Sequence, residues 1–311
     1  MKTPALTLLL SALTLAAAQP TARPAAPVTV RDDRGSVTVS ARPVRIAAAH
    51  PISLELLLAL GVQPAGYAGF LEGARLGTPL KNIPRYADLL RSEPTFLGSP
   101  QFNLEALAAL KPDLILSTPF GNADAERQMR RIAPTLLFEY SQGDGWQRAI
   151  LPLARVLGRE KRAQELLRAV ERQTLQGRTL LAPTVRRGKR VAMFAVIGPE
   201  LYSVTPAFPP ARQFARLGFE VVKLPGLKDG AYTPISLETV LTAKADRAVL
   251  LSYAPTGTMQ NDALTFMKRV GYRSIHVAEP DRAARFTTGP LSDMQVLNYY
   301  VGLMTRPGVR P

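Results

Sequence analysis

The chain has 311 residues, a length suited to about two domains, and its 46% hydrophobic and 20% charged residues exclude a disordered or coiled-coil protein. The absence of cysteine excludes disulfides, thiolate metal sites, iron–sulfur clusters and cysteine nucleophiles, and two histidines, His50 and His276, are too few for a three-histidine metal cage. Thirty-nine Lys and Arg face 24 Asp and Glu, a formal net charge of +15, and 30 of the basic residues are arginine, the better fork for carboxylates.

Residues 1–18 read as a secretory signal: Lys2, an apolar run from Ala5 to Leu15, then small residues ending at Ala18. Export argues against nucleic acid as a partner, and without a cysteine at the cleavage point no lipid anchor is expected. No later run is long enough for a membrane-spanning helix, so a periplasmic protein is expected. Residues 19–27 form a Pro/Ala-rich linker. From Val28 to Ser40, apolar and polar residues alternate around Asp33, Arg34 and Gly35, which predicts a β-hairpin.

Short apolar runs then alternate with helical segments, the pattern of an α/β chain with parallel strands. The pattern occurs twice. Asn103, Leu104, Glu105, Lys111 and Asp113 align without a gap on Ser236, Leu237, Glu238, Lys244 and Asp246, 133 positions further on. Each copy predicts a cap, a two-turn helix, a Lys-x-Asp turn and a buried strand. Arg45, Ile46 and Ala47 echo Arg190, Val191 and Ala192 as strand openings, and Gly61 echoes Gly218 as a helix stop. Between the Gly and Glu landmarks the first copy is longer, 44 positions against 20. The extra length, from Gly66 to Phe102, is predicted to be a binding loop.

Between the copies, residues 159–182 carry Ala163, Leu166, Leu167, Val170 and Leu175 at helical spacing, predicting one rigid connecting helix about 36 Å long. The division is thus an N-terminal lobe at 28–158, the helix at 159–182 and a C-terminal lobe at 183–311. Basic and acidic residues number 14 and 12 in the first lobe, 6 and 3 in the helix, and 17 and 9 in the second lobe, so the surplus sits in the C-terminal half. No G-x-S-x-G, P-loop, G-x-G-x-x-G or H-E-x-x-H motif is present, so an enzyme is not expected. Glu200 and Asp229 are the carboxylates to check for an exported hydrolase.

The signal, hairpin, paired lobes, single connecting helix and paired Leu-Glu…Lys-x-Asp repeats together resemble the periplasmic binding proteins of ABC importers for ferric siderophores, cobalamin and haem. Residues 103–116 carry the resemblance most specifically, and residues 58–69 are similar to the family's segment after its first helix. The single connecting helix predicts small hinge motion, and the resemblance implies two Rossmann-like lobes with a ligand cleft between them and a monomer. It implies that Glu105 and Glu238 dock into arginine pockets of a permease dimer. It places ligand contacts on loops after the strands: His50, Tyr67, Arg85, Tyr86, Phe120, Tyr140 and Trp146 in the first lobe, and Tyr202, Arg212, Tyr232, Tyr253, Arg282 and Arg285 in the second. That set is aromatic and basic with no carboxylate, which suits an anionic ferric siderophore, of citrate–hydroxamate type, with the iron held by the chelator and no protein metal site or cofactor. Haem, with His50 or a cleft tyrosine as axial ligand, and cobalamin are the alternatives. His276 is expected to be structural.

Overall fold

The computed structural model describes residues 26–40, 42–69, 79–98, 103–119, 123–140, 145–227, 232–252, 258–278 and 289–308. The expected signal segment, Phe120, Asp229, Tyr253, Arg282 and Arg285 lie outside them.

The chain opens on the hairpin β1 (Val28–Asp32) and β2 (Gly35–Val39), paired antiparallel as the alternation predicts. The first lobe follows as β3 (Ile46–Ala48), α1 (Pro51–Ala59), β4 (Gly66–Tyr67), α2 (Pro84–Ala87), β5 (Thr95–Phe96), α3 (Leu104–Leu110), β6 (Leu114–Ser117), α4 (Ala123–Ile132), β7 (Thr135–Leu137) and α5 (Trp146–Leu157). Its five strands form a wholly parallel sheet in the order β5-β4-β3-β6-β7. The long helix α6 (Glu160–Arg186) leads to β8 (Arg190–Ile197), β9 (Glu200–Val204), α7 (Pro209–Arg216), β10 (Glu220–Val221), β11 (Tyr232–Ile235), β12 (Arg247–Ser252), α8 (Thr258–Val270), β13 (Ser274–Ala278) and α9 (Pro290–Thr305). The second sheet runs β11-β9-β8-β12-β13, with β12, β13 and β10 parallel to their partners and the β8–β9–β11 meander antiparallel. Strands β3, β6 and β12 are buried at every position, as unbroken apolar runs require when helices cover both faces.

The two sequence echoes turn out to touch one another. In the first lobe Asp113 accepts hydrogen bonds from the amides of Val44 and Arg45 at 2.7 and 3.0 Å, while its own amide donates to Arg45 at 2.9 Å. In the second, Asp246 accepts from the Arg190 amide at 2.9 Å and donates its own to the Arg190 carbonyl at 2.9 Å. The aspartate of each Lys-x-Asp turn thus latches the opening of the central strand, so the repeated motif encodes the same inter-strand register twice.

The copies differ where the residues differ. Asn103 caps α3 through its side chain on the Ala106 amide at 2.9 Å, and the helix ends on Lys111 with φ 49°. The matching segment Leu237–Thr242 is a 3₁₀ helix without a side-chain cap, contrary to the predicted two-turn α-helix. Ala and Leu fill the first copy, whereas Thr239, Val240 and Thr242 are β-branched and disfavour the α-helix.

Helix α6 runs past the predicted end at residue 182 to Arg186, making 27 residues and about 40 Å. Pro183 falls in the last turn, and the buried Arg247 guanidinium satisfies the terminal carbonyls, donating to Thr184 and Gly188 at 3.3 and 3.1 Å. Helix α9 is a second bridge between the lobes. Its first turn sets Leu291 and Met294 against the first-lobe core, while Val296, Leu297, Tyr300 and Met304 belong to the second. At Gly177, the one glycine within α6, the end of α7 and the middle of α9 approach closely: a Cβ there would meet Leu217 at 2.7 Å and Val301 at 2.9 Å.

The predicted binding loop at 66–102 is largely packed structure in its described part. Leu80, Tyr86, Leu90 and Leu97 are buried, and the Glu93 carboxylate accepts from the Leu80 and Lys81 amides at 2.7 and 3.1 Å.

Candidate ligand-binding site

A cavity of 720 Å³ lies between the lobes, walled by Trp146 and Gln147 at the start of α5, Arg212, Gln213 and Arg216 on α7, Glu171 on α6, and Asp293 on α9. Such a volume suits a small organic ligand. Two helix starts aim at it. Helix α5 begins after Gly145, whose φ of 53° and 2.9 Å clearance from the Tyr140 carbonyl exclude a side chain. Helix α7 begins at Pro209, whose fixed φ and missing amide suit the first helical position.

Asp293 is the centre of the floor. Its carboxylate, 2% exposed, accepts from Trp146 Nε1 at 3.3 Å and Gln147 Nε2 at 3.4 Å in the first lobe, and from Arg216 Nη1 at 2.8 Å and Gln213 Nε2 in the second. Burial raises its pKa above the ordinary aspartate value, and Arg216 opposes that shift. Arg216 also donates to Gln213 Oε1 at 3.2 Å and Thr174 at 3.1 Å.

Of the nine described residues among the thirteen proposed contacts, Trp146 and Arg212 line this cavity. His50 caps α1 instead, its Nδ1 accepting from the Ile52 amide at 3.2 Å, and its ring lies 5.4 Å from that of Tyr140; burial holds its pKa at about 4. Tyr140 is buried, its hydroxyl 3.2 Å from Ser53, and burial raises its pKa. Tyr67 is buried against Phe96 at 5.3 Å. Tyr202 bonds Glu200 and meets the half-exposed Tyr232 edge-on at 5.3 Å, on the β9–β11 edge of the second sheet. His276 is buried, 3.0 Å from Ser274, with its pKa lowered to about 4 by burial and then by Arg247.

Arg85 and Tyr86 are engaged elsewhere. Both donate to Glu55 Oε1 at 3.0 Å, and the other oxygen, Oε2, accepts from the Leu291 amide at 3.1 Å and from the Ser292 amide and hydroxyl at 2.9 Å. Arg85 Nε reaches Gln295 at 3.1 Å. A carboxylate from the first lobe therefore sits on the positive end of α9, within a cluster that ties the lobes together. Gly289 makes room for it, since a Cβ there would stand 2.4 Å from Glu55 Oε2.

The contacts expected from the sequence include no carboxylate, whereas the wall of this cavity includes Glu171 and Asp293. Gln147, Gln213 and Arg216 also line it without standing out in the sequence, and Glu55 joins the lobes without lining it. Glu55 is the only charge in the otherwise apolar α1, and Asp293 the only charge in α9, a signal legible in the sequence. Glu105 and Glu238 are both exposed, each second in its helical segment. Glu238 is held below the ordinary glutamate pKa by hydrogen bonds from its own amide and from the Ser236 side chain. No described helix is long and apolar enough to cross a membrane.

Comparison with known proteins agrees with this fold. The chain is 27% identical over 206 residues to the ferric enterobactin-binding periplasmic protein FepB of Escherichia coli O6:H1, covering 64% of this chain but only 63% of that protein. It is 25% identical over 268 residues to the Fe(3+)-citrate-binding protein YfmC of Bacillus subtilis, covering 83% and 80%. Among solved structures, SirA of Staphylococcus aureus complexed with staphyloferrin B superposes with a TM-score of 0.69 at 16% identity, covering 89% of this chain and 98% of SirA. The FhuD protein of S. pseudintermedius gives 0.70 at 14% identity, with 90% and 98% covered. These two structures share the fold of two α/β lobes joined by a long helix. The family described as periplasmic binding protein matches residues 46–269, and the chain belongs to that family.

Proposed function

We propose that the protein captures a ferric siderophore or ferric citrate outside the cytoplasmic membrane and hands it to an ABC permease. The observation that carries the reading is the cavity between the lobes, in a chain whose relatives bind ferric enterobactin and ferric citrate. Arginine forks and amide donors suit the oxygen-rich surface of a ferric chelate, and Trp146 adds an aromatic edge. The iron stays with the chelator, and the protein does no chemistry on its cargo. Glu105 and Glu238, exposed at matching positions of the two lobes, are the docking carboxylates for two permease subunits. His50, which a haem reading would call on, spends Nδ1 on the Ile52 amide as the cap of α1 and lies tilted against Tyr140, so it lends that reading nothing.

Trp146 is the only tryptophan and is 1% exposed at the cavity floor, so its emission reports on the site. The test is a titration of the protein from Gln19 onward with ferric citrate, ferric hydroxamate, citrate–hydroxamate and catecholate siderophores, haemin and cyanocobalamin. Saturable quenching by a ferric chelate, absent with its iron-free form, is expected. Binding of haemin or cobalamin alone would overturn the cargo, and calorimetric silence across the panel would overturn the function.

A further inference from the structure

We propose that Arg216 selects the cargo by taking an outward-facing carboxylate or similar oxyanion of the chelate, and that Asp293 is the positioning residue that aims its guanidinium. The proposal rests on the ferric-chelate reading above and narrows it to cargo with free anionic oxygens at its surface.

The guanidinium is fixed before any ligand arrives. Its Nη1 hydrogens go to Asp293 at 2.8 Å and Gln213 at 3.2 Å, and Nη2 donates to Thr174 on the connecting helix at 3.1 Å. The Nε–H and the second Nη2 hydrogen have no protein acceptor among the described residues. The side chain is 28% exposed and lines the cavity, whereas its partner Asp293 is buried. A planar fork with donors left over, facing a cavity, is the arrangement that receives a carboxylate, and a lysine would lose it. Because the orientation is held in advance, binding costs little further side-chain entropy. The pair with Asp293 is formally neutral and Arg212, one turn earlier on α7, is matched by Glu171 across the cavity, so an anion is taken by the directed donors of the fork and not by a surplus of positive charge. Asp293 does more than fix one arginine. Its other acceptor contacts reach Trp146 and Gln147 across the lobe boundary, so the aim of the fork is set relative to both walls.

The test measures affinity calorimetrically for ferric citrate and for a ferric linear trihydroxamate without free carboxylates, using wild type, Arg216→Gln, Arg216→Lys, Asp293→Asn and the Arg216→Gln/Asp293→Asn double variant. Arg216→Gln is expected to weaken ferric citrate at least tenfold and the trihydroxamate less than twofold. Arg216→Lys should recover under half of that loss on a logarithmic scale. Asp293→Asn should weaken ferric citrate several-fold alone and cost clearly less in the Arg216→Gln background, where only its hold on Trp146 and Gln147 is left to lose. Thr174→Val removes the Nη2 restraint without touching a charge; it should cost a few-fold and carries the positioning test if Asp293→Asn unfolds. Equal losses for both ligands, or citrate binding unchanged in Arg216→Gln, overturn the selection. Additive losses in the double variant overturn the positioning role. Wild type that binds the trihydroxamate but not citrate overturns this proposal alone, while wild type that binds no ferric chelate overturns the function with it.

Discussion

Replacing Glu55 with leucine tests whether the lobes are held together by one buried carboxylate. The change removes the acceptor for Arg85, Tyr86, two α9 amides and the Ser292 hydroxyl, in a site where Glu55 is 1% and Ser292 0% exposed. The Tyr86 hydroxyl and the Ser292 amide lose their acceptor in a buried site, and each stranded group costs about 1–3 kcal/mol, whereas the Ser292 hydroxyl keeps the Gly289 carbonyl at 3.1 Å. Arg85 is 24% exposed and keeps Gln295, so its share is discounted for solvent screening. Leucine packing on the apolar α1 returns part of the loss. The net expectation is about 3–5 kcal/mol, the range for breaking a buried charged cluster by removing one partner. Glu55→Gln, which keeps shape but turns one acceptor into a donor, should lose about half as much. Urea unfolding followed by circular dichroism reads the difference directly, and wild-type folding must be shown to be reversible first. A loss below about 1 kcal/mol for the leucine variant would refute the reasoning, because it would mean that these donors find other acceptors or water.

Gly177→Ala would stabilise an exposed helix by about 1 kcal/mol, but here the Cβ meets Leu217 and Val301, so overpacking of about 1–3 kcal/mol should win; a raised urea midpoint would contradict this. His50 and His276 are held near 4 against an ordinary 6.5, so the unfolded chain takes up protons first as pH falls below 6.5. The stability they contribute is full above 6.5 and declines toward 4, by about 2 kcal/mol each between pH 7 and pH 5, and His276→Gln should flatten that slope. Glu105→Ala with Glu238→Ala should abolish transport in cells while leaving calorimetric affinity for the cargo unchanged; transport at the wild-type rate would rule out docking through them. Scattering with and without a ferric chelate should show little change in radius of gyration, since two helices, α6 and α9, join the lobes.

The architecture was legible because apolar runs, caps and the internal repeat are local signals. The repeat even carries the Asp113 and Asp246 latches, although their partners, Arg45 and Arg190, stand in the sequence only as a separate echo. The second copy departs from the helix its repeat predicts because the β-branched residues between Leu237, Glu238, Lys244 and Asp246 outweigh the shared positions. The site was less legible because it depends on contacts far apart in sequence. Arg85 and Tyr86 look like cleft residues until Glu55 is seen to take both. Arg216 reads as ordinary helix punctuation until Asp293, 77 positions later, fixes it. A lone carboxylate in an apolar helix was the clue for both, and in each case the acid marks a junction between lobes.

The Glu55 cluster also orders events in time. The amides of Leu291 and Ser292 that complete it lie 236 and 237 positions along the chain, so the first lobe cannot finish its interior until α9 has been made and delivered. Despite the repeat, the halves are not interchangeable cassettes. An isolated first lobe would hold a buried carboxylate with Arg85 and Tyr86 but without its helix, and recombining lobes between relatives would have to carry Glu55 and the start of α9 together.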